Sequence, residues 1–287
     1  MPLRRDPTLR QRRLGAELRR MREQAGMGGS QLARTLGLNP TQVTQMEAGK
    51  IGVSAERLRT VATACKCANE PLIDALAVMA TEREKGWWEE YRGVLPADFL
   101  DVAEIEGHAT GITVFNMTFI PGLLQTSSYT ASVFTKGFPP LPQQDVDQRT
   151  TFRLRRQQLI RSGGTPFVAF IHEAALRIQY GQYGVLHEQL GGLLEDSELP
   201  GFSIRIVPFD TEDFPGPSEN LFYAEGPVPE LDTVQADSSL SSHLFDSPAH
   251  LASYREILAR IESVALSEYQ SRDFIRSIMK EAKVKHE

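Results

Sequence analysis

The sequence predicts an all-α N-terminal helix-turn-helix domain of about five helices, followed by an α+β C-terminal domain that finishes in two terminal helices. Three observations carry that expectation. The first is Ser30–Gly49, SQLARTLGLNPTQVTQMEAG, where two short helical segments meet at a glycine and a capping asparagine. The second is a change of pattern from Phe99 onward, where β-branched and aromatic runs such as Gly111–Ile120, GITVFNMTFI, alternate with helical periodicity. The third is the uneven charge: residues 1–85 carry 15 Lys and Arg against 9 Asp and Glu, and the remainder carries 16 against 28. A basic end joined to an acidic body suits a nucleic-acid reader carrying something that is not one. A chain of 287 residues is long enough for two domains, each burying a core.

Residues 1–13 are expected to form a basic arm with Arg4, Arg5, Arg10, Arg12 and Arg13; Pro2 and Pro7 keep its first part out of a helix. Such an arm either follows DNA phosphates and reaches a minor groove or is a solvated tail. The helical domain is expected over residues 14–80. Its first helix carries Leu14, Leu18, Met21 and Ala25 on one stripe and ends at Gly26. Met27-Gly28-Gly29 is a loose lead-in that should fray before the helix Gln31–Leu36, whose Ala33 lets a second helix cross closely. Gly37 can take the positive φ that ends that helix. Asn39 caps the next one, with Pro40 in the first position, where a missing N–H costs nothing. There Val43 and Met46 point inward, leaving Thr41, Gln42, Thr44 and Gln45 outside, near the end that such motifs insert into the major groove. An ordinary surface helix would carry Glu and Lys on that face; uncharged donors and acceptors suit base edges better. Gly49 closes the element, and Lys50 is placed for a phosphate contact. Ser30, Gln31, Arg34 and Asn39 complete the candidate DNA contacts. Ser54 caps a helix with Leu58, Val61 and Ala62, and Asn69 caps another with Pro71 in its first turn.

Residues 81–98 are expected as a hinge, containing Gly86 and the pair Trp87-Trp88. Side chains of adjacent helical residues diverge by about 100°, so either one indole packs on another domain or subunit, or both are wedged into one broad core. Residues 99–287 form the α+β domain: strands at Gly111–Ile120, Pro166–Ile171, Phe202–Phe209, Asn220–Glu225 and Leu231–Asp237, and helices around Tyr129–Thr135, Gln144–Arg161, His172–Tyr180, Val185–Leu194, Pro248–Leu266 and Ser267–Lys283.

The stretch Ser30–Gly49 resembles the Xre/Cro repressors, whose pattern of QLA, LG, Thr or Ser, Val and ME.G it meets. Further on, PGLLQT (Pro121–Thr126), Arg153-x-x-Arg156-Gln157-x-Leu159, IHEAALR (Ile171–Arg177), HEQL (His187–Leu190) and RIVPF (Arg205–Phe209) resemble a domain of unknown function in actinobacteria. In regulators of the WhiJ type it is fused behind an Xre-type helix-turn-helix. The resemblance implies a regulator of transcription acting with a small BldB-like partner protein, in some cases as a toxin–antitoxin-like pair. It supplies neither a chemical activity nor a ligand.

Catalytic patterns are scarce. His172-Glu173 does not continue into HExxH, and neither a phosphate loop nor a GxSxG elbow is present. Ser127, His187 and Asp237 form a triad only on paper, so the chain is expected not to be an enzyme. Gln125, Arg153, Arg156, Gln157 and Glu173 are the candidate lining of a regulatory pocket; alternatively, Glu173 forms a structural ion pair with one of the arginines. Cys65 and Cys67 are too close for an unstrained disulfide. They lack two further zinc ligands, and Cys65 continues the core stripe of Leu58 and Val61, so neither metal nor cofactor is expected. No apolar run of about 18 residues occurs, which points to a cytosolic protein without a membrane partner. The function expected is sequence-specific binding of double-stranded DNA as a homodimer on an inverted repeat, with the C-terminal domain mediating dimerisation and control by the small protein. The alternatives are a C-terminal small-molecule sensor and a C-terminal hydrolase or nucleotide-modifying enzyme.

Overall fold

The computed structural model describes residues 7–82, 86–217, 219–237 and 242–286. The chain divides into two compact units, one running to His108 and including Pro227–Leu231, the other made of Ala109–Gly226 and Asp232 onward. Arg4 and Arg5 of the expected arm lie outside the described residues.

The first unit opens with α1 (Leu9–Gln24), started by a capping box in which the Thr8 hydroxyl accepts from Gln11 N–H and the Gln11 side chain accepts from Thr8 N–H. Arg10, Arg12 and Arg13, expected in a basic arm, are therefore helical. Each meets a carboxylate: Arg10 pairs with Glu82, Arg12 with Asp101 and buried Arg13 with Glu17. These pairings hold the guanidinium groups within the unit rather than leaving them on a free arm. Then come α2 (Gly29–Leu36), α3 (Pro40–Glu47), α4 (Ala55–Ala64) and α5 (Glu70–Thr81). The Met27-Gly28-Gly29 lead-in does not fray; α2 begins at Gly29, with Gly28 as its cap residue. Ser54 and Asn69 cap α4 and α5 through the N–H groups of Arg57 and Leu72. Leu14, Leu18 and Met21 of α1 join Leu32, Ala33, Val43, Met46, Leu58, Val61 and Leu76 in one apolar cluster, whereas Ala25 is exposed beyond the end of the stripe. Cys65 is buried in this cluster as a free thiol, and burial pushes its pKa up.

The unit does not end near residue 80. A 3-10 turn at Trp87–Tyr91 and α6 (Ala97–His108) belong to it. The two indoles divide as their angular separation requires: Trp88 is buried, while Trp87 is half-buried and packs edge-on to Trp88 and Tyr91. Gly86 has an ordinary negative φ. It is required by packing instead, because a Cβ there would lie 2.2 Å from the Trp88 ring.

The second unit is built on a six-stranded mixed sheet of β1 (Gly111–Asn116), β2 (Phe167–His172), β3 (Phe202–Val207), β4 (Asn220–Glu225), β5 (Thr233–Asp237) and β6 (Ser242–Phe245), in the order β3-β2-β1-β4-β5-β6. The first three strands run parallel, with Val114 opposite Ala169 and Ala169 opposite Ile204; β4, β5 and β6 add antiparallel. Parallel strands are covered on both faces, and two apolar clusters do this. On one face Ile112, Val114, Ala169 and Ile204 meet helices α7 (Ser127–Lys136), α8 (Gln143–Gly163), α10 (Tyr183–Asp196) and α12 (Glu268–His286), through residues such as Tyr129, Ile160, Leu190 and Ile275. On the other, Phe115, Phe170 and Leu221 meet Leu251, Leu258 and Ile261 of α11 (Pro248–Val264). The short α9 (Glu173–Arg177) follows β2 directly, with His172, the last residue of that strand, as its N-cap, and it ends before the expected Tyr180.

Gly15 of α1 shows how tightly the first unit is assembled. A Cβ there would lie 2.5 Å from the Glu47 carbonyl oxygen and 2.7 Å from that of Met46. Gly15→Ala is expected to lose about 1–3 kcal/mol through overpacking despite the ~1 kcal/mol that alanine ordinarily gains in a helix. Gly29→Ala, whose methyl meets nothing within 4 Å, is the control and should not lose stability. Urea unfolding of the two variants checks this; equal midpoints would contradict the packing account.

Candidate nucleic-acid interface

The candidate contacts lie on α2, α3 and the turns around them, and eight of the nine are exposed; Gln45 is half-buried. Their placement begins with the turn. Gly37 adopts φ 65° and closes α2, with Leu38 N–H donating to the Ala33 carbonyl at 2.8 Å. The Arg57 guanidinium donates to the carbonyl of Leu36 at 3.1 Å, satisfying another group at that helix end. Asn39 then starts α3 in a capping box: its Oδ1 accepts from Gln42 N–H at 2.8 Å, and Gln42 Oε1 accepts from Asn39 N–H at 3.1 Å.

Two candidate reading residues therefore have structural duties as well. Gln42 commits its amide oxygen to the cap, so its NH2 group is the end left for an acceptor on a base. The Thr44 hydroxyl donates to the Pro40 carbonyl at 3.1 Å, so its oxygen is left to act towards a base as an acceptor. Thr41 is exposed on the first turn. Lys50 is exposed in the turn after α3, where Gly49 has φ 69°. Ser30, Gln31 and Arg34 are exposed along α2.

The buried side of α3 is held harder than the sequence suggested. Beyond Val43 and Met46, Glu47 receives a two-point ion pair from Arg22 of α1, at 2.6 and 2.8 Å. The same guanidinium donates to the Met27 carbonyl at 2.8 Å. The hydrogen bond to Glu47 raises the Arg22 pKa, against the opposing effect of burial. The planar fork matched to a carboxylate fixes direction as well as distance. Arg22 and Glu47 are 25 residues apart, so spacing gave no sign of the pair. Beside the following turn, a cavity of about 710 Å³ is lined by residues of the first unit, among them Gln11, Leu14, Lys50, Val53 and Trp88.

In the second unit, the residues expected to line a pocket separate into two groups. Gln125, Arg153 and Gln157 come together on the PGLLQT loop. Gln125 donates to the Ile120 carbonyl at 2.7 Å and accepts from Thr130 and from Arg153, the latter at 2.5 Å. Gln157 donates to the carbonyls of Gly122 and Gln125, each at 2.8 Å, and Gln189 donates to that of Leu124. Buried glutamines thus satisfy carbonyls that the single 3-10 turn of this loop, Gly122–Leu124, leaves to be paired. Arg156 is half-buried on α8. Glu173 lies in the other group: it accepts from Arg177 at 2.6 Å and from Phe209 N–H at 2.9 Å. The ion pair anticipated with Arg153 or Arg156 is made instead with the local Arg177, one helical turn along. Ser127, His187 and Asp237 lie on three different elements, α7, α10 and β5. Among the described residues, no cluster of three His, Cys, Asp or Glu could hold a metal, and no helix is long and apolar enough to cross a membrane.

Residues 13–84 match the family model described as a helix-turn-helix domain, and residues 99–277 match that of a domain of unknown function, DUF5753. No curated protein and no solved structure matches the chain. The second match spans more than half of the sequence, and the chain therefore belongs to the DUF5753 family, with a helix-turn-helix domain ahead of that family's domain.

Proposed function

We propose that this protein is a sequence-specific DNA-binding regulator of transcription of the Xre type. The observation that carries the reading is the uncharged, solvent-facing side of α3, Thr41, Gln42, Thr44 and Gln45, on a helix whose opposite side is locked by Val43, Met46 and the Arg22–Glu47 pair. A rigidly held helix presenting amides and hydroxyls can distinguish bases in the major groove. Arg34 and Lys50, with the polar groups of Ser30 and Gln31, serve the phosphates. One such helix reads only a few base pairs, so the protein acts as a homodimer on an inverted repeat with half-sites about one helical turn apart.

The C-terminal domain, similar to that of WhiJ-type regulators, takes the roles of dimerisation and control by a small BldB-like partner protein rather than catalysis. Its excess of 28 acidic over 16 basic residues beyond position 85 disfavours DNA phosphates. A second reading, direct sensing of a small molecule, draws on the cavity beside Lys50, which lies in the first unit rather than the C-terminal domain.

Gln45→Ala should cost roughly 1–3 kcal/mol on the preferred duplex and relax selectivity at one position in each half-site. Lys50→Ala should weaken binding to every duplex similarly and flatten its salt dependence. Binding isotherms on operator and scrambled duplexes at several salt concentrations check both, and an unchanged base preference in Gln45→Ala would sink the assigned reading face. Titrating the small partner into the full-length protein on operator DNA should change affinity about 5–150-fold, corresponding to a coupling of roughly 1–3 kcal/mol. No change with the partner, together with a shift caused by a co-purified metabolite alone, would replace the partner reading with the sensing one.

A further inference from the structure

The first unit is not made from one continuous stretch of chain. Pro227–Leu231, the connection between β4 and β5, belongs to it and contains a 3-10 turn at Pro229–Leu231. Leu231 is 7% exposed and sits in the same apolar cluster as Leu14, Leu72 and Leu76, with Val228 packed against that cluster. Glu230 adds two polar contacts. Its carbonyl accepts from the Arg13 guanidinium at 2.5 Å, and its carboxylate accepts from the Asn69 side-chain amide at 2.6 Å. The ends of this tongue are tied together at its base: Gly226 N–H donates to Asp232 Oδ1 at 2.9 Å, while Asp232 Oδ2 accepts from Tyr223 and Arg255.

The contact with Arg13 falls at a telling place on α1. Two residues later, Gly15 meets the carbonyls of Met46 and Glu47; two residues earlier, the Gln11 carbonyl lies 2.6 Å from where a Cβ on Gly49 would be. Arg13 is buried and also ion-paired to Glu17 at 2.9 Å. The tongue therefore grips the one turn of α1 on which the last turn of α3 rests, backbone against backbone. On its other side it holds Asn69, the residue that caps α5 through its Oδ1. Such close-packed elements transmit displacement rather than absorbing it.

We propose that Glu230 and Leu231 are positioning residues for DNA reading: the β4–β5 tongue completes the helix-turn-helix unit and sets, through α1, the placement of α3. The proposal rests on the DNA-reading function above and adds its regulation. Whatever alters the β4–β5 connection alters base selectivity, because five of the seven residues joining those strands are part of the reading unit.

Asn69→Asp tests this with little change of shape. Aspartate keeps the oxygen that caps α5 but turns the second atom, now a donor to Glu230, into a carboxylate oxygen facing another. The full-length protein is measured on its selected operator and on a scrambled duplex of the same length, at a temperature where circular dichroism shows the variant folded. The expected result is a roughly tenfold fall in the operator-to-scrambled affinity ratio. The double variant Asn69→Asp/Glu230→Gln, which restores a donor–acceptor pair, should return the ratio to within about threefold of wild type. Glu230→Ala, which removes the acceptor without repulsion, should show a smaller fall of about threefold and decides the matter if Asn69→Asp does not fold. An unchanged ratio in the folded variant overturns the proposal. So does an equal loss on both duplexes, which would make the tongue a structural brace only. A wild-type protein with no sequence preference would instead remove the DNA-reading function itself.

Discussion

Gly15 of α1 and Gly49 after α3 are both places where a single methyl group would collide with backbone, at 2.5 and 2.6 Å. Through these two points, α1 and the end of α3 approach as closely as polypeptide permits. The rest of the first unit follows from that approach. Val43 and Met46 can enter the core only because the helices are so close, and Arg22 can reach Glu47 with both arms of its guanidinium for the same reason. Removing either partner of such a sheltered pair leaves the other charge uncompensated. Positive φ at Gly37 and Gly49 sets the chain direction on either side of α3. What faces outward is then a helix with little freedom to shift, carrying hydroxyls and amides. Preorganisation of that kind lets weak, short-range hydrogen bonds discriminate between bases instead of being spent on ordering the protein.

The second unit solves its own problem by similar means. Its parallel strands need long connections, and the connection after β1 leaves the sheet as an irregular loop with carbonyls to satisfy. Gln125, Gln157 and Gln189 meet those carbonyls from inside, and Arg153 lies against Gln125 and over the Phe134 ring at 4.4 Å. The PGLLQT and Arg-x-x-Arg-Gln signatures thus have a structural explanation: they are the two halves of one buried hydrogen-bond set. Networks of this sort fix a unique conformation because every member left unpaired would cost its full desolvation.

Features governed by neighbours in the chain were legible before any coordinates. Gly37, Asn39-Pro40, Ser54 and Asn69 announce their turns and caps because a capping oxygen or a left-handed glycine acts within three or four residues. Five of the six strands announce themselves by β-branched and aromatic residues. Contacts made across long separations were not legible. Arg10 and Arg12 read as a free basic arm because Glu82 and Asp101 lie 72 and 89 residues away, although Thr8 and Gln11 did carry the signal of a helix start. The strand Ser242–Phe245 is a four-residue edge with too little pattern to detect. Leu231 was read as the start of a strand, yet Pro227 and Pro229 just before it mark a break, and its burial in the first unit depends on residues more than 150 positions away. Glu173 shows the converse: distant arginines attracted attention while its partner, Arg177, was one turn along.

Whether α3 reads sequence is decided by selection from a pool of random duplexes with the intact protein. A reading helix will enrich a short inverted repeat, with half-sites of a few base pairs separated by about one turn of the double helix. Recovery of duplexes that share no sequence, bound with affinities set by salt alone, would contradict it.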